Sequence, residues 1–203
     1  PDSYYELGVL LERDKYVGRA VLKDAVKDLN VSVYPFYVDD FMAGNPDTPF
    51  NKNIYLREII TSGKTIFGAR IVENMKLPAV DILDLLSDVQ FNLGYALAAT
   101  MADRSGDLKL ANTLFYKSCL FATRSLIIFR TSSFPCTYTE IFSMASKLHL
   151  GKYGELVKLA YEARQSGLYE QPALFKNISY LNQVVISELR ACLEQTGNKV
   201  ALS

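Results

Sequence analysis

The opening stretch of the chain, residues 2–12, carries residue types that favour metal-dependent chemistry. It has a short polar lead-in, followed by a predicted buried strand over residues 7–11. Because alternate residues of a strand point the same way, we predict that Tyr4, Glu6 and Gly8 share one face. Two carboxylates at that spacing would converge on one site for Mg²⁺ and phosphate. Only Glu6 is acidic, so one of the two carboxylates of such a pair is present and the other is missing.

The first third of the chain alternates predicted strands and helices. An apolar stripe along residues 16–29 predicts a helix, and β-branched and aromatic residues predict a second strand over residues 31–38. Residues 54–61 are predicted to be helical, with Gly63 as the helix stop, and residues 64–67 are predicted to form a third strand. This alternation is typical of an α/β unit.

The pattern changes after Gly68, where no further strand is predicted. The helical periods lie in residues 82–106, 108–130, 137 onward, 153–165 and 173–195. The predicted apolar stripe of the first runs from Ile82 to Leu97, Thr137 and Glu140 have capping-box spacing, and Gly167 is the predicted end of the fourth. Short connections between antiparallel helices predict an all-α up-and-down bundle. The predicted fold class is therefore α+β, with an α/β domain over residues 1–70, a helical domain over residues 71–203, and a boundary near residues 69–78.

Composition excludes several classes of function. The chain has 203 residues, is 49% hydrophobic, and carries 22 basic and 22 acidic residues. Its net charge therefore gives no general attraction to nucleic acid or to an anionic membrane, and a local basic groove is left open. Three cysteines without a Cys-x-x-Cys pair, and His149 as the one histidine, argue against a zinc site. The apolar runs are too short to span a membrane, and no signal segment is visible. We therefore expect a cytoplasmic protein.

Residues 2–70 resemble the minimal nucleotidyltransferases of the DNA polymerase β superfamily. The first matching segment is Asp2-Ser3 followed by the strand residues 4–10. The second, more persuasive one is the helix at residues 56–60 with Ser-Gly-Lys-Thr-Ile-Phe-Gly at residues 62–68. The resemblance implies a nucleotidyltransferase-like domain truncated at its N-terminus, because the Gly-Ser turn of the family would fall before Pro1.

The resemblance also implies which positions carry the chemistry. In the family, two strand carboxylates bind Mg²⁺ and a third helps to activate the acceptor hydroxyl. These positions fall on Tyr4, Glu6 and Ser32, so two of the three expected carboxylates are replaced. Tyr and Ser are poor substitutes for them at neutral pH. Whether the protein is an enzyme is left open by this pattern.

The same resemblance assigns nucleotide contacts to Asp2, Ser3 and Lys64. A register shift could bring Asp2 into the missing metal-binding position. The motif favours a catalytically degenerate module that binds a nucleoside triphosphate or a partner protein. The alternative is an active nucleotidyltransferase that uses Mg²⁺ and modifies a hydroxyl of a small molecule or protein held by the helical domain; Mg²⁺ is expected as a cofactor only in that case.

The helical region resembles the HEPN-type bundles and the substrate-binding bundles that accompany such domains. The carrying segments are residues 111–127, 138–142 and 153–170. The resemblance implies a homodimer or a partner protein bound through the bundle, and a substrate groove with Arg164 and Tyr169. HEPN ribonucleases have an Arg four to six residues before a His, and no Arg precedes His149 at that spacing. Nucleic acid is therefore not an expected partner.

Overall fold

The computed structural model describes residues 5–29 and 31–203, with only the backbone of Tyr5. The fold is α+β: a small two-stranded parallel sheet with helices is followed by a mostly helical region. The chain divides into two compact units, Pro1–Pro78 and Ala79–Ser203. We call them the α/β unit and the helical unit, and each is described by itself.

The α/β unit is built on a parallel pair of strands, β1 (Tyr5–Leu11) and β2 (Val31–Tyr37). The crossover between them contains α1 (Arg19–Ala25), as a parallel connection requires. Two helices follow β2, namely α2 (Val38–Met42) and α3 (Lys52–Ser62). The Asn51 side chain caps α3 by accepting the N–H of Ile54 at 3.1 Å. The core of this unit is the cluster Phe36, Phe41 and Leu56.

Burial in this unit is lower than the sequence predicts. The predicted helix over residues 16–29 is too long, because α1 spans seven residues and buries none of them. Its Val21 is 61% exposed. In β1, Glu6 and Gly8 are exposed, so the prediction that this strand is buried on both faces is wrong. A sheet of two strands offers too little surface to cover both faces of a strand and a long helix.

The predicted strand over residues 64–67 is also wrong, because this segment is a loop. The backbone N–H and hydroxyl of Thr65 both donate to the carboxylate of Glu73, at 2.9 and 2.6 Å. That N–H is therefore not available to a strand ladder, and Phe67 is 98% exposed. The predicted helix stop is confirmed, since Gly63 follows α3 and its N–H bonds to the carbonyl of Ile59 at 2.7 Å.

Six helices make up most of the helical unit. They are α4 (Ile82–Arg104), α5 (Leu108–Thr131), α6 (Tyr138–Ala145), α7 (Gly154–Ser166), α8 (Gln171–Tyr180) and α9 (Ser187–Thr196). Helices α8 and α9 are continuous through a π-helical segment, Leu181–Ile186. The predicted capping box of α6 is confirmed, with Thr137 and Glu140 exchanging both hydrogen bonds. No helix in the described part of the chain is long and apolar enough to cross a membrane.

Two short strands in this unit contradict the prediction of helices alone after Gly68. Strand β3 (Val80–Asp81) pairs antiparallel with β4 (Val200–Leu202). The Asn198 amide donates to the Asp81 carboxylate at 2.8 Å and fixes the end of the chain beside the start of α4. Because the paired residues are so far apart in the chain, the sequence contains no local pattern from which these strands could be predicted.

The core of the helical unit forms where α4 packs along α5, with α7, α8 and the π-helical segment around them. Its largest fully buried side chains include Leu85, Phe115, Leu126, Leu156 and Tyr180. The predicted stripe of α4 is only partly correct: its N-terminal half is buried, but Leu97 is 50% exposed. This helix is apolar on nearly every side, and its spacing alone did not show which side is buried.

Candidate functional site

The parallel register of the small sheet places two of the predicted site residues side by side. Glu6 of β1 pairs with Ser32 of β2, and Gly8 pairs with Tyr34. Residues paired in register project to the same face of a sheet, so Glu6, Ser32 and Tyr34 share one face. The predicted positions Asp2, Ser3 and Tyr4 lie outside the described residues.

Two further side chains complete this surface, which we call the Glu6 cluster: Glu6, Ser32, Tyr34, Tyr55 and Arg19. The guanidinium of Arg19 lies over the ring of Tyr34, 4.3 Å from its centroid. Burial raises the pKa of the Tyr55 phenol, and the negative charge of Glu6 raises it further. Tyr55 therefore keeps its proton and remains a hydrogen-bond donor throughout the physiological range.

The donor set of the Glu6 cluster does not fit a magnesium site built on paired carboxylates. It offers one carboxylate, the Ser32 hydroxyl and two phenols, whereas Mg²⁺ in nucleotide-transferring sites is held by carboxylates together with phosphate oxygens. In the described part of the chain, no three His, Cys, Asp or Glu residues lie together as a metal-binding group. We derive no chemical step through Mg²⁺ here. The arrangement can hydrogen-bond, stack on an aromatic ring and bind an anion.

Lys64 lies apart from this arrangement. It is exposed in the loop that follows α3, next to the Thr65 held by Glu73. Among the residues that the structure describes, no hydrogen bond or ion pair joins Lys64 to the Glu6 cluster. The resemblance placed Lys64 at the nucleotide, and the structure neither supports nor contradicts that role.

The two predicted groove residues of the helical unit have separate partners. The guanidinium of Arg164 lies over the Tyr138 ring, 4.6 Å from its centroid. The Tyr169 hydroxyl donates to Asp103 at 2.6 Å, and Gln171 donates to the other oxygen of Asp103 at 2.8 Å. These bonds hold the pKa of Asp103 below its ordinary value, while burial raises the pKa of Tyr169 to about 12. Tyr169 thus anchors the loop before α8.

A buried polar group between α4 and α5 was missed by the sequence analysis. Asp88 is 4% exposed and accepts a hydrogen bond from the Ser125 hydroxyl at 2.6 Å. The side chain of Asn92 donates to the Asp88 carbonyl at 2.8 Å. Asp88 and Asn92 are four residues apart, on the face that also carries the buried Leu85. The four-residue spacing of Asp88 and Asn92 was the one signal of this polar group in the sequence. It is difficult to recognise beside the apolar stripe of the same helix.

Comparison with known proteins gives no relative from which to transfer a function. No protein-family model, curated protein or solved structure matches the chain. The residues of the Glu6 cluster, together with the motif resemblance of residues 2–70, therefore carry the functional proposal.

Proposed function

We propose that the α/β unit is a catalytically degenerate module of the nucleotidyltransferase type, which binds a nucleotide without transferring it. The observation that carries this proposal is the pairing of Glu6 with Ser32 in the sheet register. A hydroxyl occupies the place where the resemblance requires a carboxylate to activate the acceptor. The remaining acid, Glu6, lies among tyrosines and an arginine, which are binding groups.

The Glu6 cluster has the groups that a nucleotide requires. Arg19 is exposed and makes no ion pair within the described part of the chain, so its N–H groups are available to a phosphate. Stacking on Tyr34 holds the guanidinium in place. The Tyr55 phenol, which is protonated at neutral pH, is a donor for a further phosphate or sugar oxygen.

Calorimetric titration with ATP, with and without Mg²⁺, tests this function. We expect saturable binding that Arg19→Gln weakens by about tenfold, the size of one lost charge-assisted contact. The matched control is Lys23→Gln, an exposed cation on the same helix, which should leave the affinity unchanged. A labelled-nucleotide assay is the second arm: Mg²⁺-dependent transfer abolished by Glu6→Ala would establish the active enzyme instead. If ATP does not bind at all, the α/β unit would instead be a module that binds a partner protein.

A separate observation favours self-association of the helical unit, which we propose to be an up-and-down HEPN-type bundle. The outer face of α4 presents Gly94, Leu97, Ala98 and Met101, all exposed and spaced three or four residues apart. Met101 is 63% exposed. An apolar stripe of this kind on a 23-residue helix suits packing against the same stripe of a second copy.

Light scattering after size exclusion tests the dimer. We expect a dimer for the natural chain and a monomer for the double variant Leu97→Glu, Met101→Glu. Phe175→Glu, at an exposed position of α8, is the control that should remain dimeric. A natural chain that stays monomeric at micromolar concentration would reject the proposal. The three free cysteines also fit a reducing compartment, and we propose the cytoplasm.

A further inference from the structure

A cleft of about 600 Å³ lies in the α/β unit and shares no residue with the Glu6 cluster. Its apolar lining includes Ile60 and the buried Leu56 of α3, together with Met42 and Met75. Arg70 and Lys76 are also part of the lining. We call this surface the α3 cleft. Its volume is in the range of cavities that hold a small organic molecule.

The walls of the α3 cleft are held in place by hydrogen bonds. The buried Arg57 of α3 donates from Nη1 to the carbonyl of Pro78 at 2.7 Å, which ties the segment carrying Met75 and Lys76 to the helix. The side chain of Asn74 donates to the carbonyl of Arg70 at 2.6 Å. Because the walls are already held in place, little conformational entropy of the cleft is lost when a ligand binds.

The charge at the α3 cleft is one-sided. Arg70 and Lys76 are the charged residues of its lining, which contains no carboxylate. The surrounding chain is not basic, since residues 1–78 contain ten basic and eleven acidic side chains. Outside the lining, the anionic Glu73 accepts hydrogen bonds from Thr65 on both carboxylate oxygens and also interacts with the charge of Arg70, and both effects lower its pKa. Neither cation forms an ion pair within the part of the chain that the structure describes.

We propose that the α3 cleft binds a small amphipathic carboxylate, with its apolar body on Met42 and Ile60 and its head group at Arg70 and Lys76. The apolar side chains of the lining supply the contact area, and the two cations select an anionic head group over a neutral one. Met42 and Met75 are unbranched and polarisable, so they adapt to the shape of the body. This inference is independent of nucleotide binding at the Glu6 cluster.

The four methionines of the chain provide a direct test. Met42 and Met75 line the cleft, whereas Met101 and Met144 belong to the helical unit and serve as internal controls. With ¹³C-methyl methionine, titration with octanoate should shift the Met42 and Met75 signals saturably and leave the other two in place. Octanamide, the neutral counterpart of similar size, should bind about tenfold more weakly or less.

Two variants test separately how the charge and the shape of the α3 cleft contribute to octanoate binding. The double variant Arg70→Gln, Lys76→Gln should lower the octanoate affinity by about tenfold or more, while Lys23→Gln with Lys64→Gln, exposed cations outside the cleft, should not. Ala69→Phe, at an exposed position of the lining, should reduce binding of both probes by filling the space. Unchanged Met101 and Met144 signals verify that each variant is folded in its helical unit.

Four outcomes would overturn the proposal. Shifts of all four methyl signals would indicate a detergent effect, and equal affinity for octanoate and octanamide would indicate an apolar cavity without charge recognition. Absence of any shift would show that the cleft does not bind this class of ligand. Shifts of Met42 and Met75 on dilution without ligand would show that a second copy of the chain covers the cleft.

Discussion

The two units of this protein bury their side chains to very different degrees. In the α/β unit, α1 buries no residue and the central cluster consists of Phe36, Phe41 and Leu56. In the helical unit, α5 alone buries thirteen residues, among them the charged Arg124. The first unit therefore leaves polar groups such as Glu6 and Arg19 at its surface, whereas the second buries polar groups such as Arg124 within its own packing.

The contrast is clearest in two carboxylates. Glu6 lies exposed on the face of a two-stranded sheet, and Asp88 lies in the interior with the Ser125 hydroxyl as a donor. An acid enclosed by its own fold is a structural element, because its hydrogen bonds are made inside the protein. Glu6 lies at the surface beside Ser32, where a ligand can reach it. This difference in exposure is why we place binding at Glu6 and not at Asp88.

The largest effect expected from this contrast is in the core of the helical unit. Leu126→Ala should lower the free energy of unfolding by about 2–5 kcal/mol, since Leu126 is fully buried and leaves a cavity. Leu83→Ala, at a half-exposed position of α4 outside the proposed dimer face, should change it by less than about 1 kcal/mol. Urea unfolding followed by far-UV circular dichroism measures both. Equal losses in the two variants would contradict the packing described here.

The next largest effect is expected from a substitution at the end of α3 in the α/β unit. A Cβ at Gly63 would lie 2.4 Å from the carbonyl oxygen of Ile59, so Gly63→Ala must shift the helix end at a cost of about 1–3 kcal/mol. At Gly8 the added Cβ would lie 3.6 Å from the Phe36 ring, an ordinary contact, so Gly8→Ala is the control. Hydrogen exchange by mass spectrometry should show faster exchange in α3 peptides for Gly63→Ala and unchanged exchange in α5 peptides. Unchanged α3 exchange would show that the helix end adapts freely.

The parts of the fold that the sequence predicted are those with local signals. Gly63 ends α3, Gly167 ends α7 in a left-handed conformation, and Thr137 with Glu140 begins α6. Each of these depends on residues within one turn, where caps and stops act. The parts that failed depend on distant partners. Glu73 takes the N–H that a strand at residues 64–67 would need, and β4 pairs with β3 across the whole helical unit.

The candidate site also combines features that follow from local sequence signals with features that depend on distant residues. The alternation of a strand predicted that Tyr4, Glu6 and Gly8 share a face, but the register that sets Glu6 beside Ser32 is a property of the sheet. The stacking of Arg19 on Tyr34 could not be predicted from the spacing of residues in the sequence. The α3 cleft was not predicted at all, because its residues come from three separate segments.

The smallest expected effect compares two carboxylates, Glu73 and Asp103, each of which holds a loop in its own unit. Two Thr65 donors hold the pKa of Glu73 below its ordinary value, and Tyr169 with Gln171 does the same for Asp103. A carboxyl whose pKa is lower in the folded state adds stability above its unfolded pKa, and that stability is lost as the pH falls through the folded pKa. Acidification should therefore release both loops.

We expect Tyr169→Phe to melt at a lower temperature than the natural chain at neutral pH, and the two melting temperatures to converge as the pH falls below the ordinary carboxyl range. The reason is that the variant has lost a bond that the natural chain loses only on protonation of Asp103. Thr65→Val is the corresponding variant of the α/β unit. Hydrogen exchange of peptides over residues 64–70 and 167–171 assigns each change to its own loop. A pH-independent difference between Tyr169→Phe and the natural chain would instead show that Tyr169 acts through packing against Phe115, whose ring centroid lies 6.3 Å away.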